Sequence, residues 1–169
     1  LVGSEMCIRD SNDAKGHKFY QYTAIDEYSR WRFVEAFREH STYSSAQFLD
    51  HLVKNFPMPI ECVQTDNGAE FTNRFTTYRD KPTLFQVHLA QYGIQHKVIR
   101  PFTPRHNGKV ERSHRKDNER FYATHTFYSF EDFSRQLKLY NRRDYNLFPM
   151  RPLGWKTPIQ TLEHFLSSL

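Results

Sequence analysis

The stretch of residues 60–71 places the strongest constraint on what this chain can fold into. It begins as a short apolar run, which predicts a central β-strand, and the run ends at Asp66. A carboxylate at the C-terminal end of a central strand lies where open α/β sheets bind their ligands. Asn67 and Gly68 come next and predict a tight turn that uses a positive φ angle. The alternative is that Asp66 only caps a helix or forms an Asx turn.

The pattern on either side of this stretch predicts a mixed α/β domain. Two segments rich in aromatic and β-branched residues, 19–25 and 31–37, predict strands paired as an antiparallel hairpin. Two more strands are predicted at residues 60–65 and 94–99. Helical spacing of apolar residues predicts helices at residues 46–56, 71–78, 84–92, 109–123, 131–145 and from residue 158 onward. Trp31 and Trp155 are interpreted as core residues rather than as base-stacking ones.

Composition narrows the class of protein. The 169 residues, 16% of them aromatic, are enough for one folded domain with a substantial core. The two cysteines, Cys7 and Cys62, show no metal-binding or disulfide spacing, which favours a reducing, cytoplasmic setting. No apolar run approaches the roughly 18 residues that a membrane-spanning helix needs. The formal net charge of +5 suits a polyanionic partner but does not establish one.

A second carboxylate, Glu111, stands in the first turn of the helix predicted from residue 109. The segment of residues 100–120 holds seven Lys and Arg against three acidic residues, so it carries most of the excess positive charge. Such a basic stripe suits a phosphate backbone. The alternatives are that Glu111 only complements the helix dipole and that the basic residues form a solvated face.

Carboxylates in this arrangement suit one kind of metal chemistry. Two or three of them can hold a pair of Mg²⁺ ions roughly 4 Å apart, which activate a nucleophile and stabilise the leaving oxygen of a phosphodiester. Mg²⁺ prefers hard oxygen ligands, so Asp and Glu are the residue types that such a site needs.

Several motifs together resemble the catalytic core of integrase-type (DDE) transposases of bacterial insertion sequences, which are similar to retroviral integrases. The motifs are Thr-Asp-Asn-Gly-Ala-Glu-Phe at residues 65–71, Gly-Ile-Gln-His at 93–96 and the run from Pro101 to Arg112. The resemblance implies an RNase H-like fold with a mixed five-stranded sheet flanked by helices. It also implies cleavage and strand transfer of double-stranded DNA at transposon ends and target, two Mg²⁺ or Mn²⁺ ions, and a homo-oligomer on DNA in a bacterial cytoplasm.

The resemblance also assigns roles to residues. Asp66 and Glu111 match the second and third catalytic carboxylates and would be the metal ligands. Basic residues of the loop and helix around Glu111 would bind DNA phosphates; they are Arg105, Lys109, Arg112, Arg115 and Lys116. The separation of 45 positions between Asp66 and Glu111 is longer than in most relatives, and a loop insertion near residues 78–86 accounts for it.

The first carboxylate of the family is harder to place. Residues 1–11 resemble a translated sequencing-adaptor tail, so we expect residues 12–169 to be the native catalytic core with its first strand missing or replaced. The alternative is that residues 1–11 are an ordinary N-terminal strand. Asp10 stands 16 residues before Asp26, close to the first-carboxylate place, which it would fill by accident.

This gap at the first carboxylate predicts that the chain is impaired in DNA cleavage and strand transfer. Two rival functions stay open. One is an RNase H-like nuclease that hydrolyses DNA without joining it. The other is a non-catalytic DNA-binding remnant that keeps the basic helix but not a working metal site.

Overall fold

The computed structural model describes residues 3–12, 14–99 and 108–168. Five strands form one sheet in the spatial order β3-β2-β1-β4-β5. The strands are β1 (Gly3–Asn12), β2 (Lys18–Asp26), β3 (Arg32–Phe37), β4 (Cys62–Thr65) and β5 (Gln95–Val98). The helices are α1 (Thr42–Asn55), α2 (Leu84–Gln91), α3 (Gly108–Asp117), α4 (Phe130–Tyr140) and α5 (Pro158–Leu166).

The sheet is mixed, and β1 is its central strand. β1 and β2 pair antiparallel along their full length, and β2 and β3 form the predicted antiparallel hairpin. On its other side β1 pairs in parallel with β4, which pairs in parallel with β5. The predicted five-stranded sheet flanked by helices is therefore confirmed, and residues 3–12 supply its middle strand. Whether these residues are native concerns their origin and stays a prediction.

The two faces of the sheet bury separate apolar clusters. The larger cluster lies under α1, α2 and α5 and includes Met6, Phe48 and Phe71. The second lies under α4 and centres on Phe121 and Phe133. Side-chain caps fix where the covering helices begin: Ser41 caps α1, while Thr83 and Thr157 form capping boxes at α2 and α5. None of the helices in the described ranges is long and apolar enough to cross a membrane.

Three sequence-based predictions of helices need correction. The helix predicted at residues 71–78 is absent, and those residues form successive turns. Threonine hydroxyl groups there accept hydrogen bonds from nearby backbone amides. Thr72 accepts from the amide of Arg74, and Thr76 accepts from the amide of Tyr78. Such side-chain bonds compete with the helical pattern. The helices predicted to reach residues 123 and 145 instead end as α-helices at Asp117 and Tyr140 and continue as π-helical segments, Asn118–Tyr122 and Asn141–Asn146.

The two tryptophans differ from each other. Trp31 is partly buried and packs against the larger cluster, as expected. Trp155 is 70% exposed, so its assignment to the core was wrong. It follows Gly154, and both residues have left-handed φ angles, 63° for Gly154 and 65° for Trp155. This turn directs the indole away from the interior.

Candidate active site

Asp66 lies directly after β4, as predicted, at the C-terminal end of the strand. Its Oδ1 accepts a hydrogen bond from the Gly68 amide at 3.0 Å, so it also forms the Asx turn. Asn67 donates from Nδ2 to the Ile99 carbonyl at 2.9 Å, which ties the turn to the end of β5. Burial raises the pKa of Asp66, the Gly68 hydrogen bond opposes this, and the nearby charge of Glu70 adds to it.

Gly68 serves this turn in a different way from the one predicted. Its φ angle is not in the positive range, which in the described glycines holds for Gly16, Gly93 and Gly154. Instead, a Cβ atom at Gly68 would collide with the carboxylate of Glu70. A side chain at position 68 would therefore require the end of the Glu70 side chain, which folds back over the turn, to shift. Glu70 is 11% exposed and lies 3.1 Å from His40, measured between Oε1 and Nε2.

The strand position opposite Asp66 is occupied by Cys7. β1 and β4 pair in parallel with Glu5 beside Gln64, and two residues further along the same register Cys7 comes beside Asp66. Glu5 and Cys7 share the face of β1 that α3 covers, because alternate residues point to the same side. Cys7 packs there against the small cluster that contains Val110 of α3.

Three carboxylates contribute to the electrostatic environment of the Cys7 thiol. Burial raises the pKa of Cys7 to about 12, and the negative charges of Asp66, Glu111 and Glu70 contribute to the rise. The thiol is therefore neutral at physiological pH. Asp66 and Glu111, predicted from separate motifs, thus both act electrostatically on Cys7. Glu70 joins them without having been predicted; its signal in the sequence was an acidic residue four positions after Asp66.

A buried carboxylate on β1 fixes the start of α3 and hence the position of Glu111. Glu5 is 3% exposed, and its Oε2 accepts from the amides of Lys109 and Val110 at 3.2 Å each. A carboxylate that binds free amides at a helix N-terminus is favoured by the helix dipole. Burial raises the pKa of Glu5, while Lys109 and the Val110 amide oppose the shift. Glu111 itself lies in the first turn of α3 and is exposed.

Asp10 does not join this group. It lies on the opposite face of β1, the face of Met6 and Ile8, which pack into the larger cluster under α1. It is also three residues, about 10 Å, beyond Cys7 along the strand. Its side chain is 67% exposed and faces Lys18 at 3.9 Å. The sequence offset from Asp26 suggested Asp10, whereas extending the β1–β4 register two residues beyond the Glu5–Gln64 pair brings Cys7 beside Asp66.

The predicted DNA-binding residues are divided among different environments. Lys109 is engaged with Glu27 at 2.9 Å and Glu5 at 3.5 Å. Arg112 and Lys116 line a cleft beside α3, whereas Arg115 is exposed and faces Glu119 at 3.5 Å. Arg105 lies outside the described residues.

The C-terminal half of α3 is held by a buried ion pair that the sequence did not reveal. Arg32 and Asp117 are fully buried, and Nη1 of Arg32 donates to both carboxylate oxygens at 2.8 and 2.9 Å. Arg32 Nε donates to Asn141 at 2.7 Å, and Gln21 donates to Asp117 at 3.1 Å. The guanidinium carbon lies 3.9 Å from the centre of the Tyr145 ring. This network connects β2, β3 and the segment after α4 to the helix that carries Glu111.

The donor set fits a divalent metal only in part. Asp66 and Glu111 offer the oxygen ligands that Mg²⁺ prefers, but Cys7 offers a neutral thiol where a third carboxylate would complete the set. Within residues 3–12, 14–99 and 108–168, no group of three His, Cys, Asp or Glu side chains is arranged to hold a metal ion. The site therefore has two suitable ligands and one unsuitable group between them.

Comparison with known proteins identifies the family. Integrase core domain profiles match residues 8–104 and 92–158. A putative integrase, ORF3, of Spiroplasma virus SpV1-C74 is 28% identical over 165 residues, covering 90% of this chain but 43% of that protein. The chain thus spans less than half the length of this relative.

Solved structures agree with the fold. The catalytic core domain of BIV integrase has a TM-score of 0.68 and 18% identity, covering 99% of this chain and 97% of that one. The HTLV-2 integrase catalytic core, solved with magnesium in a trimeric form, has a TM-score of 0.69 and 17% identity, covering 95% of each chain. The predicted RNase H-like fold is confirmed by these similarities. The chain therefore belongs to the integrase core domain family, a family of polynucleotidyl transferases.

Proposed function

We propose that this chain is the catalytic core of an integrase-type transposase that acts on the DNA ends of an insertion sequence in a bacterial cytoplasm. One observation carries the proposal: Asp66 directly follows β4, and Glu111 lies in the first turn of α3, whose start is bound by Glu5 on the neighbouring strand β1. This arrangement supports the use of both carboxylates, which the sequence motifs predict as metal ligands.

Asp66 and Glu111 are the residues that would hold divalent cations, Mg²⁺ or Mn²⁺, with two ions in the complete site. Such ions supply activation of the attacking oxygen and stabilisation of the leaving oxygen. The protein's own contribution is positional, because Glu5 fixes the start of α3 and the Asx turn fixes Asp66. Asp66 and Glu111 leave the set incomplete at Cys7, and we therefore infer that cleavage and strand transfer by this chain are impaired.

Double-stranded DNA is the proposed partner, both as transposon end and as target. Arg112 and Lys116 are partly buried or exposed cations on the α3 surface, and Arg115 extends this surface into solvent. Arg105, in the segment before α3, would add a further contact. By analogy with the trimeric HTLV-2 core, the chain would act on DNA as a homo-oligomer.

The decisive experiment restores the missing carboxylate with Cys7→Asp. The variant is incubated with Mn²⁺, a labelled duplex with a recessed 3′ end and supercoiled plasmid, and joined and hydrolysed products are scored separately. We expect joining in Cys7→Asp to exceed that of the unaltered chain at least tenfold. Asp66→Asn or Glu111→Gln in the same background should return it to the starting level, whereas Glu119→Gln, an exposed acidic residue near the end of the same helix, should not. Strong joining by the unaltered chain would contradict the proposed impairment.

Cys7 also favours a second candidate, the non-catalytic DNA-binding remnant. A buried neutral thiol avoids the mutual repulsion of three carboxylates in a site without metal, as in a chain that has lost catalysis. If Cys7→Asp neither joins nor hydrolyses DNA while DNA binding persists, this second candidate replaces the first. Hydrolysis without joining would instead support the nuclease alternative.

A further inference from the structure

A cleft of about 880 Å³ lies between α3 and the segment that follows the last π-helical turn. We call it the α3 cleft. One wall consists of Lys109, Arg112 and Lys116 on α3, and the other of Phe148, Met150 and Trp155. Glu5 and Gln64 form part of its base. A cleft of this volume is in the range of small-ligand pockets, so it suits a few nucleotides rather than a duplex.

The α3 cleft has a cationic lining whose acidic members are already paired. Glu5 and Glu27 both bind Lys109. The other charged residues that line the cleft are Arg30, Arg112, Lys116 and Arg151. Burial lowers the pKa of Lys116, and the charges of Arg120 and Arg112 lower it further. A set of like charges held together in this way is stabilised by an anion that binds among them.

Arg30 gives an independent indication of a missing ligand. Its Nη1 is buried and has no hydrogen-bond partner among the described residues. Its backbone has a φ angle of 64°, which is uncommon for a residue other than glycine. Buried polar groups are almost always hydrogen-bonded, and strained residues cluster at ligand sites. Arg30 lines the α3 cleft, and an anionic group bound there would lie against its guanidinium group.

The opposite wall presents an aromatic surface. Trp155 is 70% exposed and Phe148 is 43% exposed. The loop that carries Trp155 is rigid, since the Trp155 amide donates to the Met150 carbonyl and the Met150 amide donates to the Lys156 carbonyl, each at 3.0 Å. Phe148 lies under a cation, with the guanidinium carbon of Arg120 5.3 Å from its ring centre. Exposed aromatic rings beside cations are the combination that binds single-stranded nucleic acid.

We propose that the α3 cleft binds a short single-stranded segment of DNA, with its phosphates on Arg30, Arg112, Lys116 and Arg151 and a base stacked on Trp155. The proposal rests on the proposed function for its choice of DNA. Glu5 and Gln64 at the base of the cleft are two residues before Cys7 and Asp66 on the same face of their strands, which is about 7 Å. A strand in the cleft therefore leads directly to the candidate active site, as unpaired nucleotides at a DNA end would.

The test is binding measured by fluorescence anisotropy in EDTA, with a labelled single-stranded 12-nucleotide probe and the matching duplex. Trp155→Ala should weaken single-strand binding about 5- to 100-fold, and Trp155→Phe should largely keep it, because stacking on an aromatic ring contributes about 1–3 kcal/mol per base. Arg112→Gln should weaken binding and lower the slope of log affinity against log salt by about one. The matched controls are Tyr43→Ala, an exposed tyrosine, and Lys54→Gln, an exposed lysine, both on α1.

Equal binding by Trp155→Ala and Tyr43→Ala would overturn the proposal. A preference for the duplex probe, or equal competition by polyglutamate, would overturn it as well, because either shows a polyanion surface that does not recognise bases. The assay contains no metal and measures no catalysis. If Cys7→Asp fails to join DNA while Trp155-dependent binding is intact, the catalytic proposal alone is refuted. If Cys7→Asp joins DNA but binding does not depend on Trp155, the proposal for the α3 cleft alone is refuted.

Discussion

The two ends of α3 lie in polar environments that differ in how their charges are paired. At the C-terminal end, Asp117 and Arg32 form a buried pair whose members are bound on several sides by neutral polar and aromatic groups. At the N-terminal end, the charges of Asp66, Glu111 and Glu70 act on the Cys7 thiol, which is neutral and compensates none of them. The first environment pairs a buried cation with a buried anion, although Nη2 of Arg32 lacks a hydrogen-bond partner among the described residues. The second gathers acidic groups, of which Glu70 faces His40 at 3.1 Å, and a bound cation would stabilise it.

This difference distinguishes the residues that hold α3 in place from the acidic residues near its start that are available to bind a ligand. A buried ion pair with one member removed strongly destabilises a protein, so the Arg32–Asp117 network fixes the position of α3. Like charges gathered near a surface lower stability and are retained where they bind something. The two ends of one helix therefore show a structural use and a functional use of the same residue types.

The largest effect on stability is expected at the C-terminal end of α3. Asp117→Ala leaves the Arg32 guanidinium buried without its partner, and we expect a loss of about 3–5 kcal/mol in the free energy of unfolding. Urea denaturation followed by circular dichroism measures this. Glu119→Gln, which removes an exposed pair with Arg115 two residues further along, should change stability by less than about 1 kcal/mol. Similar losses in the two variants would show that the buried network does not hold α3.

The next largest effect on stability is expected near the N-terminal end of α3. Cys7→Asp should bind Mg²⁺ or Mn²⁺ through the completed carboxylate set, and at a metal concentration 100 times the dissociation constant the folded state gains about 2.7 kcal/mol. Without metal the same variant should be less stable than the unaltered chain, since the added carboxylate would lie beside Asp66 and Glu111. The measurement is thermal unfolding with and without metal. Cys7→Asn has the same size without the charge, and an equal metal response in it would contradict the comparison.

The smallest effect is a pH dependence from His114, which lies on α3 between the two ends. Burial lowers its pKa to about 4, with the charges of Arg32 and Arg9 adding to this and that of Asp117 opposing it. In the unfolded chain His114 takes up a proton near its ordinary value of about 6.5, whereas the folded protein does so only near 4. Stability from this group is therefore complete above about pH 6.5 and declines as the pH falls towards 4, by at most about 1.4 kcal/mol per unit.

His114→Gln should reduce this acid-dependent loss of stability. His96 has a pKa lowered to about 4 by burial as well, so the slope should fall by about half rather than vanish. His164→Gln removes an exposed histidine near the end of α5 and should leave the slope unchanged. Urea denaturation midpoints at pH 5 and pH 7 give the comparison, and an unchanged slope in His114→Gln would show that His114 is not the source.

Local pattern was sufficient for much of the fold. The β2–β3 hairpin, the strand that ends at Asp66 and the helix that begins before Glu111 were predictable because alternation, helical spacing and turn residues act over a few positions. The prediction of a helix at residues 71–78 was wrong, because hydroxyl groups there bond to nearby backbone amides and outweigh the helical spacing of apolar residues. The π-helical endings of α3 and α4 leave no comparable signal in the sequence.

The sequence by itself determined the family and the strand that ends at Asp66, and it predicted Asp66 and Glu111 as metal ligands, because contiguous motifs carry these features. Only the tertiary structure decided that Cys7 rather than Asp10 faces Asp66. Strand register fixes which residue meets which, and a residue one position away points to the opposite face of the sheet. The Arg32–Asp117 pair and the exposed Trp155 likewise depend on segments that are distant in the chain, so their environments exist only once those segments pack together.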